Sequence, residues 1–148
     1  MQSVEDLQEV DFTVLKEDYS RWRISDGAII KAKVVVKKIF FSTLRTPEGY
    51  PQSFSIDSIN SVTALVPPSL KGKPSNEPVD PSKDKGEEMV FDELDVKKQE
   101  YMTNNGYRIE IKPVITKVFK YSKRDIYGYP VYNVIIQMIT NIYKIESI

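Results

Sequence analysis

The segment ISDGAIIKAKVVVKKIFF, residues 24–41, determines the predicted fold. Asp26-Gly27 lies between apolar residues, and an Asx-Gly pair in that setting favours a type I′ hairpin turn, because both central residues of the turn need positive φ. After the turn, the even positions from 28 to 36 are apolar, and this period of two is typical of a half-buried β-strand. The lysines on the opposite, open side of the strand are Lys31, Lys33 and Lys37.

The pattern returns later in the chain, in TNNGYRIEIKPVITKVFK, residues 103–120. Asn105-Gly106 is again an Asx-Gly turn followed by an alternating strand. A shift of 79 residues carries Gly27 onto Gly106, and we call this shift the repeat offset. It aligns residues 9–66 with the later copy without a gap, and both copies contain a Gly-Tyr-Pro triplet. We therefore predict an internal repeat. Further identical pairs are Phe12/Phe91, Leu15/Leu94, Ile30/Ile109, Lys33/Lys112, Val35/Val114, Lys38/Lys117, Phe40/Phe119, Arg45/Arg124 and Ile56/Ile135.

The predicted fold class is all-β, with two tandem three- to four-stranded antiparallel meanders packed as one barrel or one sandwich. An acidic N-terminal tail (residues 1–8) precedes repeat 1 (9–66). A proline-rich linker (67–88) leads to repeat 2 (89–148). A lone repeat of about 58 residues would bury little surface, so we expect the two repeats to form one domain.

Composition excludes several classes of function. The 148 residues include 21 Lys+Arg and 21 Asp+Glu, so the net charge is zero and a uniformly basic nucleic-acid-binding protein is excluded. Cysteine and histidine are both absent, which excludes disulfides, thiol nucleophiles, histidine-dependent triads and zinc fingers. Carboxylate chemistry stays formally open, but 15 of the 21 acidic residues lie in residues 1–18 and 74–100. We predict no catalytic residue, no metal and no cofactor.

The first residues, MQSVEDLQEV, are acidic and contain no apolar core of a signal peptide. No stretch reaches the ~18–20 apolar residues that a bilayer-spanning helix needs. We therefore expect a cytoplasmic protein with no membrane partner.

Charge is sorted along the chain. Residues 1–18 carry a net charge of −5 and residues 74–100 also −5, whereas residues 19–73 carry +6 and residues 101–148 carry +4. A basic sheet face with Lys31 and Lys33, with Arg21 or Arg23 and with aromatic neighbours could follow a phosphate backbone. Two alternatives are that the acidic segments fold over this face, or that the lysines protect a sheet edge from pairing.

Two long loops, residues 42–52 and 121–130, each contain an arginine and the Gly-Tyr-Pro triplet. Turn chemistry alone explains the triplet, because Gly permits positive φ and Pro stiffens the entry to the next strand. The functional alternative is a pair of recognition loops. In that case Arg45 and Arg124 would bind phosphate or carboxylate, and Tyr50 and Tyr129 would stack.

Lys38 and Lys117 fall on the apolar register of their strands, at matching positions. A β-bulge, or an opening where the ammonium group reaches water, would explain this placement. The alternative is a pair of inward lysines that form an anion site.

Together these patterns predict a non-enzymatic binding or adaptor module whose partner is nucleic acid or a ribonucleoprotein. One alternative is a structural or assembly protein that binds other subunits or itself, as a homo-oligomer. An enzyme is the third alternative. The candidate ligand-binding residues are Lys31, Lys33, Lys38, Arg45, Tyr50, Lys117, Arg124 and Tyr129.

Overall fold

The structure is a computed structural model that describes residues 6–145, so most of the predicted tail and the last three residues lie outside it. The described chain consists of β-strands and one 3-10 turn, Pro68–Leu70, with no α-helix. The all-β prediction is confirmed. The strands are β1 (Leu7–Val10), β2 (Phe12–Lys16), β3 (Ser20–Ile24), β4 (Ile29–Ser42), β5 (Phe54–Leu65), β6 (Gly86–Met89), β7 (Phe91–Asp95), β8 (Gln99–Thr103), β9 (Tyr107–Arg124) and β10 (Pro130–Lys144).

The strands form two antiparallel sheets. The first sheet has the order β7-β3-β4-β5, and the second has the order β2-β8-β9-β10. The short strand β1 lies beside β4 in the first sheet, and β6 lies beside β9 in the second. The expectation of a barrel is wrong: β5 pairs only with β4 and β10 only with β9, so the sheets remain open.

The two halves exchange a strand. β1 belongs to the first sheet, yet β2, after the single residue Asp11, pairs with β8 in the second. In the other half, β6 belongs to the second sheet, and β7, after Val90, pairs with β3 in the first. Only β3–β5 and β8–β10 are therefore simple meanders. Strand β1 also begins inside the predicted tail, and β6 begins inside the predicted linker.

The core consists of two clusters of buried side chains, and each cluster combines both sheets. Trp22 and Tyr101 hold matching positions in β3 and β8, and both are almost fully buried. The first cluster is Val34, Val36, Ile39, Phe41, Tyr101, Tyr107, Ile109 and Ile111. The second cluster is Trp22, Ile24, Ala28, Ile30, Ala32, Ile115 and Val118.

Strand β4 lacks a neighbour over the middle of one edge, because β3 pairs with residues 29–32 and β1 with residues 39–42. Gln99, from the second sheet, fills part of this gap. Its Nε2 donates to the carbonyl oxygen of Val34 at 2.6 Å, and its Oε1 accepts from the Val34 N–H at 2.9 Å. The matching position in β9 is Pro113, which has no N–H to satisfy. The sequence predicts that this proline lies at a strand edge or a bulge, and β9 is indeed unpaired there on one side.

We expect Gln99→Leu to lower the free energy of unfolding by about 2–4 kcal/mol, because it leaves the buried N–H and C=O of Val34 without partners. Urea denaturation measures the loss. Gln52→Leu, at an exposed loop position, is the control and should change stability by less than about 0.5 kcal/mol. Equal effects of the two substitutions would contradict this role for Gln99.

Candidate functional site

The outer surface of the first sheet carries a group of cations that we call the basic face: Arg21, Arg23, Lys31 and Lys33. Burial alternates along β3, so Trp22 points into the core and the two arginines are exposed. The same alternation in β4 places Lys31 and Lys33 on the outer side. Lys31 lies opposite Arg21 across the β3–β4 pair. Like charges directly opposite one another are destabilising, so the basic face carries an internal repulsion.

The ring of Tyr19 lies close to both lysines of the basic face. The Nζ atoms of Lys31 and Lys33 each lie 4.7 Å from the centroid of the Tyr19 ring, within the range of a cation–π contact. The Tyr19 hydroxyl shares a 2.9 Å hydrogen bond with the hydroxyl of Ser61, on β5. The sequence prediction contained both lysines but missed this tyrosine, although its place one residue before β3 is visible in the sequence.

Among residues 6–145, no carboxylate oxygen lies within 4.0 Å of a charged nitrogen of the basic face. The acidic strand β7 does lie beside β3, where Asp95 is opposite Arg21 and Asp92 is opposite Arg23. The expectation that an acidic segment covers this face therefore fits its arginine edge, but β7 does not pair with β4, which carries the lysines.

The second sheet has the opposite charge at the matching positions. The repeat offset carries Arg21 onto Glu100 and Lys31 onto Glu110, and the two glutamates also lie opposite one another. Their repulsion is compensated: Arg108 is 3.3 Å from Glu100 and 3.9 Å from Glu110. Lys98 adds a 3.6 Å ion pair to Glu110, and Lys16 adds one of 3.8 Å to Glu100. The second sheet thus neutralises its like-charge pair internally.

Lys38 and Lys117 are exposed and lie next to β-bulges, where the β4–β5 and β9–β10 registers shift. Each is an ion-pair partner of a glutamate, Lys38 with Glu9 at 3.8 Å and Lys117 with Glu88 at 3.7 Å. The bulge interpretation fits this placement, and the two lysines do not form an inward anion site. Sequence analysis missed the glutamates, although the repeat offset carries Glu9 onto Glu88.

The two Arg/Tyr loops do not come together. Tyr50, in the first loop, packs beside Tyr107 at the start of β9, with ring centroids 6.1 Å apart. Tyr129, in the second loop, lines a groove with Ile30 at the start of β4. The loops therefore lie at opposite ends of β4, a strand of 14 residues, which is about 45 Å long.

The arginines of the two loops also differ in environment. Arg45 is exposed, and its Nη1 donates to the carbonyl oxygens of Ser42 and Leu44. Arg124 lies under the linker: its Nη2 is 3.5 Å from the carbonyl oxygen of Leu70, and its Nε is buried without a hydrogen-bond partner. These differences leave no pair of equivalent recognition loops.

The linker is held against the second loop by close backbone contact. The Gly72 N–H donates to the carbonyl oxygen of Gly128 at 2.8 Å. A Cβ atom at residue 128 would lie 2.1 Å from the Gly72 oxygen, and Gly128 has φ +87°. Lys123 adds an ion pair of 2.9 Å to Asp84. The linker is thus ordered by the body of the protein.

A polar network lies at the end of the second core cluster. Asp26 Oδ2 accepts hydrogen bonds from Tyr132 Oη at 2.6 Å and Lys120 Nζ at 2.9 Å, and Oδ1 accepts from the Ala28 N–H at 2.9 Å. Burial raises the pKa of Asp26, but these three interactions together outweigh it and hold the pKa below 3.8. Burial and the Asp26 hydrogen bond raise the pKa of Tyr132.

A groove of about 580 Å³ runs beside this network, between β5 and β10. Asp125 is the one charged residue that lines it, and its Oδ1 already accepts hydrogen bonds from the N–H groups of Tyr127 and Tyr129. Within residues 6–145, no three acidic side chains converge as a metal site would need.

No family model, curated protein or solved structure matches this chain. In the part of the chain that the structure describes, no helix has the length and apolar character needed to cross a bilayer. Function is therefore inferred from the geometry of the chain's own residues.

We expect Asp26→Asn to cost about 1–3 kcal/mol of stability at neutral pH, because it removes the charge that binds Lys120 and Tyr132. Since the folded-state pKa of Asp26 lies below the ordinary value of 3.8, this stabilisation is fully present above that value and is lost as the pH falls through the folded-state pKa. Urea denaturation at neutral and at strongly acidic pH measures the free energy of unfolding of the native protein and of the variant. The difference between the two free energies should become smaller at low pH. Asp18→Asn, at an exposed position, serves as control. A difference in unfolding free energy that stays constant with pH would contradict the stabilising role of the ionised Asp26 carboxylate.

We expect Gly128→Ala to destabilise the protein more than Gly106→Ala. Both glycines have positive φ, which costs about 1–2 kcal/mol for alanine, but a Cβ at residue 106 meets no atom within 4 Å. Gly128→Ala must also push the linker away. Trypsin should therefore cut the linker faster in Gly128→Ala only, and equal cleavage of both variants would show that Gly72 does not hold the linker.

Proposed function

We propose that this protein is a non-enzymatic binding module that binds the phosphate backbone of single-stranded nucleic acid on its basic face. One observation carries the proposal: the like-charge pair Arg21–Lys31 has no carboxylate within 4.0 Å among residues 6–145, whereas the matching pair Glu100–Glu110 is neutralised by neighbouring cations. Asp95 lies opposite Arg21 across the β3–β7 pair, but the cross-strand neighbours of Lys31 and Lys33 include no acid, so a bound polyanion would relieve the repulsion at the lysines.

The arrangement of side chains favours a single strand as the ligand. Lys31 and Lys33 stand about 7 Å apart along one face of β4, and the ammonium groups of both lie 4.7 Å from the centroid of the Tyr19 ring. Cations that follow the phosphate backbone together with an aromatic ring on which a base can stack are what proteins use to bind single-stranded nucleic acid. Ser61 and Thr63, opposite the lysines on β5, add hydroxyl groups beside the same track.

We also propose that the two halves arose by duplication and pack as one sandwich-like domain. In support, the repeat offset carries the first residues of β1, β2 and β3 onto those of β6, β7 and β8, and it carries the first residue of β5 onto Asn133 in β10. The Ser25 N–H donates to the Val90 oxygen, and the matching Asn104 N–H donates to the Asp11 oxygen, both at 2.9 Å. Both core clusters contain residues of the two sheets.

Duplication followed by divergence accounts for one basic face rather than two. The scaffold positions are kept in both sheets, but Arg21 and Lys31 correspond to Glu100 and Glu110. The proposed nucleic-acid site is therefore confined to the first sheet, and the prediction of two equivalent Arg/Tyr sites is not part of this proposal.

We expect Lys33→Glu to weaken binding of a labelled single-stranded oligonucleotide by at least about tenfold, because it replaces attraction for phosphate by repulsion. The matched control is Lys112→Glu, which makes the same change at the corresponding position of the second sheet. That control should change affinity less than about threefold. Fluorescence anisotropy at low salt measures both affinities.

Salt dependence gives a second test of the same site. For a single strand, the logarithm of the affinity should fall with the logarithm of the salt concentration with a slope near −0.7 for each phosphate contacted, and Lys33→Glu should make the slope shallower. Absence of binding by the native protein at low salt, or equal losses in Lys33→Glu and Lys112→Glu, would overturn the proposed function.

A further inference from the structure

The sheet edges of this protein differ in their protection against pairing with another strand. An exposed strand edge presents free backbone N–H and C=O groups, and charges within the strand normally discourage a partner. The edge strand β7 contains three acidic residues, β5 contains Asp57, and β2 ends at Lys16. In β10, the thirteen residues 131–143 carry no charge. β10 is therefore the edge strand without charged protection among the described strands. One contact reaches it from β5 of the same chain, where Ser58 Oγ lies 3.9 Å from Met138 Sδ.

Strand β10 is also apolar on its exposed side. Ile135, Ile139 and Tyr143 are exposed large apolar residues, and Ile139 has 52% of its surface accessible. β-branched and aromatic residues favour strand pairing. A long, uncharged strand with exposed apolar side chains and a free edge is a docking site for another strand.

On one face of β10, the residues between 133 and 141 read the same in both directions. The residues exposed on its outer face read Asn133, Ile135, Gln137, Ile139 and Asn141, which is a palindrome about Gln137. If two β10 strands lie antiparallel with Gln137 opposite Gln137, then Asn133 faces Asn141 and Ile135 faces Ile139. On the other face, Ile136 meets Met138 and Val134 meets Thr140.

We propose that two copies of this chain associate by antiparallel pairing of their β10 strands, on a two-fold axis that passes through Gln137. Such an interface is isologous, so residue i of one copy meets residue j of the other and j meets i, whatever the strand sequence. The palindrome adds that residues of the same type face each other on the outer face. The second sheets of the two copies then form one continuous sheet. The proposal does not depend on the nucleic-acid function, since it uses the other sheet.

Electrostatics favour a second copy as the occupant. The chain has a net charge of zero, so two copies do not repel one another as highly charged proteins do. Along the paired strands no like charges face each other, because residues 131–143 are uncharged. Thirteen residues at about 3.4 Å each give a contact about 44 Å long, and backbone hydrogen bonds extend along it.

Sedimentation velocity of the native protein over a range of concentrations should show a monomer–dimer equilibrium. Ile139→Lys places a lysine against Ile135 of the second copy twice in each dimer, so it should weaken dimerisation by at least about tenfold. The matched control is Leu15→Lys on β2, the opposite edge of the same sheet, because Leu15 is 48% exposed. Circular dichroism confirms that both variants fold.

Cysteine cross-linking tests the register directly, since the native chain has no cysteine. Directly opposite residues of an antiparallel pair have Cα atoms about 4.5–5.5 Å apart, which suits a disulfide. Gln137→Cys should therefore form a covalent dimer under mild oxidation, much faster than Leu15→Cys. A mixture of Ile135→Cys and Ile139→Cys should cross-link faster than either variant alone.

Three results would overturn the proposal: a native protein that sediments as a monomer at its highest soluble concentration, Ile139→Lys and Leu15→Lys with equal effects on self-association, or Gln137→Cys and Leu15→Cys with equal cross-linking rates. Dimerisation that survives Ile139→Lys would place the interface on another surface. None of these outcomes bears on the basic face, so failure here leaves the binding experiments with Lys33→Glu unaffected.

Discussion

The fold depends on how the two long central strands satisfy their backbone groups where a neighbour is missing. β4 and β9 are each flanked on one edge by two short strands with a gap between them. A buried, unpaired N–H or C=O group costs free energy comparable to a lost hydrogen bond. The first sheet meets this requirement at Val34 with the side-chain amide of Gln99, and the second avoids the N–H at the corresponding place with Pro113. Because Gln99 comes from the opposite sheet, the same contact ties the two sheets together.

Local chemistry made much of this fold predictable. The Asx-Gly pairs and the period of two predicted where β4 and β9 begin, and the lysines that break that period marked the bulges beside Lys38 and Lys117. The predicted type I′ turn is wrong, because among the described residues only glycines have positive φ, so Asp26 and Asn105 do not adopt the conformation that this turn type needs. The strand exchange was not predictable, because Asp11 and Val90 are single residues between strands and carry no turn motif that would indicate a change of sheet. The sequence did not predict that the linker lies over Arg124, for a related reason. This placement depends on a contact between Gly72 and Gly128, and nothing in their sequence spacing indicates that contact.

The candidate site shows the limit of reading charge from sequence. Lys31 and Lys33 were predicted from their alternation in β4, but their significance depends on whether an acid is close in space. The residue opposite Lys31 on β3 is Arg21, whereas three cations, Arg108, Lys98 and Lys16, neutralise the Glu100–Glu110 pair between them. Lys16 and Lys98 lie outside β8 and β9, the strands that carry the two glutamates. Whether a like-charge pair is neutralised depends on residues that are distant in sequence. The Arg21–Lys31 and Glu100–Glu110 pairs therefore differ in their neighbouring charges, although they occupy corresponding strand positions.

The two halves of the chain differ at their sheet edges as well as on their faces. β5 and β10 occupy equivalent places, yet β5 keeps Asp57 within its length while β10 has no charge over residues 131–143. A charge on an edge strand opposes pairing because the second strand would have to desolvate it or place a like charge against it. Because only β10 lacks such a charge, a single edge is open to pairing in the proposed dimer, and pairing of one edge with its own copy on a two-fold axis gives a closed dimer instead of a filament. In such a dimer the first sheet of each copy keeps its basic face, so two copies of the proposed binding surface would be carried by one assembly, and a strand long enough to reach both would bind more tightly through its higher effective concentration.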